Sequence, residues 1–286
     1  MEHSGSIDPR ALSALFTTAT LRALAARAPW EAVERIEAGG SLAGSRDELG
    51  AALDDAFEIL RRDRRSEYVY KNEIISRIIF GRHSPRTASA ATEFQIGRSF
   101  ADVVVFNGTI TAYEVKTDFD SFARLGTQLA DYSTVAERVY LVTSPKRAQA
   151  ALALSPAHVG VVSLAPSGRM SVRREAERTL ERVTHAGLFR VLRASERAQI
   201  LAANATTDEE LSSTNLLGKF ERTPIRRAHK QVTAALRKRF QTELLEDVGF
   251  PSSLRALAYG VPLSGPARAR LTSRLRSPLD DLGAAV

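Results

Sequence analysis

The chain has 286 residues, 44% of them hydrophobic, with 40 Lys/Arg against 33 Asp/Glu and no cysteine. The missing thiols exclude disulfides, a cysteine nucleophile and cysteine-ligated zinc or iron–sulfur sites. The sequence contains no apolar run of ~18 residues to suggest a transmembrane helix, and its start, MEHSGSIDPR, has no basic stretch leading into an apolar one, so a cytoplasmic protein is expected.

In chain order, a helix is expected over 9–28, with Leu12, Leu15, Phe16, Leu21 and Leu24 at helical spacing. A glycine- and serine-rich loop follows at 38–45, then helices over 47–62 and 67–80 and a polar loop to about residue 92. From Phe94 the period changes to two. Phe94–Ile96, Ala101–Phe106 and Thr109–Lys116 read as strands. Asp118 to Ser121 offers a helix N-cap, and a helix is expected to run on to Val135. Arg138–Thr143 reads as a buried strand, 146–154 as a short helix, and Val159–Leu164 with Met170–Arg173 as a hairpin turning at Pro166 to Gly168. Beyond Glu175 only helices are expected, over 175–203, 208–220, 224–246, 251–259 and 264–276.

The hairpin from Phe100 to Lys116 carries the chemistry. Asp102, Glu114 and Lys116 interrupt an otherwise apolar pair of strands, where unpaired charge is costly. Glu114 and Lys116 share a face by alternation. Asp102 joins them only if the turn is long enough. A two-residue Asn107-Gly108 turn pairs Asp102 with Tyr113, and local propensity favours it. A three-residue loop through Thr109, or a bulge, sets Asp102 opposite Glu114. Two carboxylates sharing a cation require the latter, which is the expected register.

Two carboxylates, with the backbone carbonyl of Val115, form a hard oxygen set suited to Mg²⁺ or Mn²⁺. Lys116 would assist an attacking water or neutralise developing charge on a phosphate. Glu73 on the 67–80 helix is the candidate third carboxylate and metal ligand, with Glu67 its competitor. On the following helix Gln128 is placed to position the nucleophile. Arg124 and Tyr132, four residues to either side, share its face and are candidate nucleic-acid contacts. Asp118 and Asp120 read as N-caps. The five histidines lack metal-ligand spacing, and no serine sits in a G-x-S-x-G context.

With these residues the sequence resembles the PD-(D/E)xK nuclease superfamily, the restriction-endonuclease-like fold, and most closely a bacterial group within it. The resemblance covers about residues 66–175. It rests on Glu93, Arg98, Asp102, Glu114, Lys116, Asp118, Asp120, Arg124-Leu125, Gln128, Tyr132 and the strand Val139–Val142. It departs from the pattern in having Phe100-Ala101, not proline, before Asp102, and in the distance of Arg98 from Asp102. The resemblance implies an α/β fold with a mixed α-β-β-β-α-β core.

The expected organisation is a helical N-terminal cap (1–65), the nuclease-like core (66–175) and an all-α basic module (176–286). Residues 1–165 hold 19 Lys/Arg against 20 Asp/Glu, and residues 166–286 hold 21 against 13. The densest basic stretch would place Arg226, Arg227, Lys230 and Arg237 on one helix as nucleic-acid contacts. The expected function is Mg²⁺-dependent hydrolysis of DNA phosphodiesters, in defence against foreign DNA or in repair. A protein partner could dock on the C-terminal helices, and no membrane is involved. Two alternatives stay open. One is an inactive nuclease-like module that binds nucleic acid or protein. The other is a transcription regulator, although no helix-turn-helix spacing follows residue 175.

Overall fold

The computed structural model describes residues 9–38, 48–205, 215–247, 249–278 and 281. Most of the loop expected at 38–45 and the first part of the helix expected over 208–220 lie outside them. The chain forms two units. One, here the helical unit, comprises residues 1–81, 166–169 and 242–286. The other, the sheet unit, comprises 82–165 and 170–241.

The helical unit begins with α1 (Pro9–Ser13), α2 (Thr18–Ala25), α3 (Trp30–Ala38), α4 (Leu49–Asp63) and α5 (Glu67–Ile75), the last extended by a π-helical turn, Ser76–Phe80. The single helix expected over 9–28 is broken because its threonines satisfy backbone groups locally. Thr17 Oγ1 accepts from the Thr20 amide at 3.2 Å, capping α2, and Thr20 Oγ1 donates to the Ala14 carbonyl at 3.0 Å. Helix α3, which follows Pro29, was not anticipated.

The sheet unit is built on six strands in spatial order β1-β2-β3-β4-β5-β6. They are β1 (Ser89–Ile96), β2 (Ser99–Phe106), β3 (Ile110–Lys116), β4 (Arg138–Thr143), β5 (Gly160–Leu164) and β6 (Met170–Arg174). Strands β1 to β3 form an antiparallel meander, β3, β4 and β5 run parallel, and β6 returns antiparallel. The parallel pairs need crossovers. These are supplied by α6 (Leu125–Ser133) and α7 (Ala148–Leu154). Gly160 opens β5 because any side chain there would meet the Tyr140 ring, only 2.3 Å from an added Cβ.

Helices α8 (His185–Val191), α9 (Ala194–Asn204), α10 (Leu216–Glu221) and α11 (Ile225–Arg239) belong to the sheet unit. Val104, Phe106, Ile110 and Ala112 of β2 and β3 share one core with Leu129 and Tyr132 of α6, Leu188 of α8 and Val232 and Leu236 of α11. The helix expected over 175–203 starts only at His185, where Thr184 Oγ1 accepts from the Gly187 amide at 3.0 Å.

Two short helices, α12 (Arg255–Gly260) and α13 (Gly265–Leu275), close the helical unit. Asn72 of α5, buried, donates to Ser252 O and accepts from Ala256 N, both at 2.9 Å. Arg274 of α13 caps α2 by donating to Leu24 O and Ala26 O at 2.6 Å. These bonds tie the end of the described chain to its N-terminal helices. The expected division at 65 and 175 is therefore corrected: α5 belongs with the helices, and residues 176–241 belong with the sheet.

Candidate nucleolytic site and basic face

The loop between β2 and β3 decides the site. Phe106 pairs with Ile110, which leaves Asn107-Gly108-Thr109 as a three-residue loop. Gly108 takes φ +91°, a left-handed value that only glycine adopts readily, and the Asn107 amide donates to Thr109 O at 3.1 Å. The ladder runs from Phe106↔Ile110 to Val103↔Tyr113. One step further sets Asp102 level with Glu114, on the face shared by Val104 and Ala112. Beyond Val103 the backbones no longer pair. Instead the Val115 amide donates to Asp102 Oδ2 at 2.6 Å. The amide and carbonyl of a strand residue point to the same neighbour, so the Val115 carbonyl is turned toward β2 as well.

Asp102 is 9% exposed, Glu114 2% and Lys116 7%. Lys116 Nζ donates to Glu114 Oε1 at 2.5 Å and to Gln128 Oε1 at 3.0 Å. The other Glu114 oxygen, Oε2, accepts from the Tyr132 hydroxyl at 2.6 Å. That hydroxyl also lies 2.8 Å from Phe100 O. Burial, reinforced by the Glu114 carboxylate, pushes the Tyr132 phenol well above its ordinary value, so it stays protonated as a donor. Tyr132 is fully buried and cannot meet a phosphate. Its expected role as a nucleic-acid contact is corrected to that of an anchor for Glu114.

The sheet unit thus brings Asp102, Glu114, Lys116, Val115 and Gln128 together. Arg124, just before α6, is exposed. Glu73 lies in the helical unit, where Arg77 Nε holds its Oε2 at 3.1 Å. Burial raises its carboxyl above the ordinary range despite Arg77 and Arg61. Asp118 and Asp120 do not cap α6. Asp120 Oδ2 instead closes a turn on Thr117, accepting from its amide at 2.7 Å and its hydroxyl at 2.6 Å, and Ser144 donates to Asp118.

Glu93 is the acidic residue that the resemblance places before Asp102, with no ligand role expected of it. Its neighbours pair as Thr92↔Val103 and Phe94↔Ala101, so it stands level with Asp102 across β1 and β2. Among the described residues it alone, glycine aside, has a left-handed backbone, at φ +52°. That conformation is unfavourable by about 1–2 kcal/mol for an L-residue, and it interrupts the ladder at this point. A Glu93 carboxylate oxygen lies within 4.8 Å of one from Asp102. The signal was available once Asp102 was placed, since the facing position on β1 follows from the pairing.

The basic face is divided. Arg226, Lys230 and Arg237 of α11 line one cavity with Arg178 and His229, whereas Arg227 lines a different one with Asn204, Lys219 and Arg222. All four cations are exposed on α11, and Arg227 lies three residues from Lys230 on the helix surface.

A family model described as bacteriophage P4 protein cII matches residues 60–247, more than half of the chain. The chain belongs to the bacteriophage P4 protein cII family. The matched stretch contains the whole sheet unit, and with it the carboxylate pair and both basic cavities. Protein cII of Enterobacteria phage P4 is 38% identical over 73 residues, 26% of this chain and 27% of that protein. The aligned stretch therefore spans about a quarter of the relative's length. A solved structure of a protein of unknown function from Silicibacter pomeroyi aligns over 46% of this chain and 86% of its own, at 19% identity and a TM-score of 0.27. A likeness that slight carries no argument. Among the described residues no helix is long and apolar enough to cross a membrane.

Proposed function

We propose that the chain is a divalent-metal-dependent nuclease that cleaves DNA, with a restriction-endonuclease-like core. The observation that carries this reading is the register of β2 and β3, which sets Asp102 level with Glu114 and leaves Lys116 on the same face. The α5-β1-β2-β3-α6-β4 order and the mixed sheet support it as well.

Asp102, Glu114 and the Val115 carbonyl would hold Mg²⁺ or Mn²⁺, and their all-oxygen character suits these ions. Glu93 is a further oxygen donor beside Asp102. When bound, the metal polarises a phosphate and lowers the pKa of a coordinated water. The chain's own residues do the rest. Lys116 supplies a positive charge to a phosphate oxygen or orients the attacking water. Gln128 holds the Lys116 ammonium in place, and Tyr132 fixes Glu114. Arg124 and the exposed cations of α11 would meet the nucleic-acid backbone.

The deciding experiment is cleavage of plasmid and single-stranded DNA with Mg²⁺, Mn²⁺ or EDTA, comparing the wild type with Lys116→Ala. Metal-dependent cutting that disappears in the variant is the expected result. Cutting that survives in the variant sinks the assignment of Lys116.

One observation favours a second reading, an inactive core that binds nucleic acid without cleaving it. Both Glu114 oxygens already have donors, Lys116 on one side and Tyr132 on the other. Titration with Mn²⁺ separates the two readings, because an inert core would not bind the ion at this pair.

A further inference from the structure

Arg226, His229, Lys230 and Arg237 recur along α11 at helical spacing and share a face. Together with Arg178 and Glu137 they line a cavity of about 340 Å³ beside Gly108 of the β2–β3 loop, within the size range of small-ligand sites. Four cations meet one carboxylate there. That carboxylate is already engaged: Arg178 Nε donates to Glu137 Oε1 at 2.8 Å and the Thr109 hydroxyl to Oε2 at 2.5 Å. Arg237 also donates from Nη1 to Thr87 O at 3.2 Å, and with Arg226 and Lys230 it lines the cavity with positive charge.

His229 forms part of the wall. It is 4% exposed, and its Nε2 is buried with no hydrogen-bond partner. The ring's hydrogen bond goes to the backbone of Val135, which leaves Nε2 as the nitrogen that can serve a ligand. Buried polar atoms without partners are uncommon in folded proteins and call for an explanation. Here the surrounding cations supply one. A negative charge entering the cavity would favour protonation at Nε2.

We propose that this cavity is a phosphate-class anion site, in which Arg226, Lys230 and Arg237 attract the anion and His229 takes a proton from solvent to donate through Nε2–H. The charged groups around the ring are Glu137 and Arg178 from outside the helix, and Arg226, Lys230 and Arg237 on it. Burial holds the imidazole below its ordinary value, and Arg178 adds to this against the pull of Glu137. An incoming anion reverses that balance, so binding is tighter at lower pH.

The site is separate from the carboxylate pair. Thr109, in the loop that precedes β3, and Glu114, toward the far end of that strand, are about 16 Å apart along the chain. One small anion cannot touch both, although a polynucleotide could. The anion site stands on its own cavity and charges. Only its extension to a nucleic-acid phosphate rests on the proposed nuclease reading.

Sulfate is the probe for the full chain, since its charge is constant across about pH 5.5 to 8, where histidine titrates. Calorimetry and the His229 ring resonances are read together. Sulfate is expected to bind more tightly at the acid end, to raise the His229 titration midpoint, and to bind about tenfold or more weakly to Arg226→Ala/Lys230→Ala. Those two positions are exposed, so the double variant keeps its fold. The proposal is overturned if sulfate binds wild type and double variant equally, or if the His229 midpoint ignores sulfate. A short oligonucleotide identifies the source of the phosphate. If the double variant loses it too, the natural ligand is a nucleic-acid backbone, and if only sulfate is lost, the ligand is a free phosphorylated anion. Neither readout involves cleavage, so a negative nuclease assay leaves the test intact.

Discussion

Glu114 has almost no contact with solvent, so its charge depends on Lys116 and Tyr132. Removing either donor exposes how much each contributes. In Tyr132→Phe the ring still fills its place, but Glu114 Oε2 loses its hydroxyl donor. A hydrogen bond to a charged acceptor is worth about 1.5–3 kcal/mol, so urea denaturation should show a loss of that size. Unchanged stability would mean that the phenol does not anchor Glu114 in solution. Lys116→Ala is harsher, because it leaves a buried carboxylate without its cation, at a cost of about 3–5 kcal/mol. A metal ion could take over that neutralising role. If the pair is a metal site, Mn²⁺ should raise the melting temperature of Lys116→Ala more than that of the wild type, since binding stabilises the folded state by mass action. Equal shifts in the two proteins would favour the inert core.

At the scale of elements, the pairing of Phe106 with Ile110 sets the register. Deleting Thr109 would leave Asn107-Gly108 as the two-residue turn that local propensity prefers. With Thr109 gone, Phe106 still pairs with Ile110 and Asp102 still faces Glu114, so the shorter turn preserves the register. The deletion should keep metal binding at the pair and a folded hairpin, which Mn²⁺ titration with circular dichroism would reveal. Binding lost from a folded variant would mean that this register alone does not assemble the pair. The strands were legible in the sequence because alternation and β-branched runs leave a strong period of two in β2 and β3. Local propensity at Asn107-Gly108 pointed to the wrong turn, and only the chemical demand that Asp102 meet Glu114 led to the right one. Helix limits were less legible. Thr17, Thr184 and Asp120 each bond nearby backbone and so end or delay a helix that apolar spacing alone would continue. The partners of Asn72 and Arg274 were not legible at all, since they join residues some 180 and 250 positions apart. With them went the true division into units.

For the whole molecule, the charge asymmetry survives, but along a different boundary. The sheet unit carries 23 Lys/Arg against 15 Asp/Glu, and the helical unit 17 against 18, so the entire basic excess accompanies the carboxylate site and the α11 cavity. Acid adds further positive charge to a unit that already has an excess, and two of its residues make the effect specific. Burial lowers His229 below its unfolded value, so the unfolded chain takes up that proton first and stability declines as pH falls through about 6.5. His158, also lowered by burial, adds to the same stage. Glu137 acts at lower pH. Burial opposes its ionisation, but hydrogen bonds from Arg178 and Thr109 outweigh that and hold the carboxyl below the ordinary range. Its contribution is complete above the unfolded value of about 4.3 and is lost as pH falls through the lower folded value. Urea denaturation across a pH series should therefore show two successive losses of stability. Sulfate should reduce the first, because it favours protonated His229 in the folded state, and Arg226→Ala/Lys230→Ala should abolish that protection. A first stage that sulfate leaves unchanged would separate the histidine's titration from the cavity it lines.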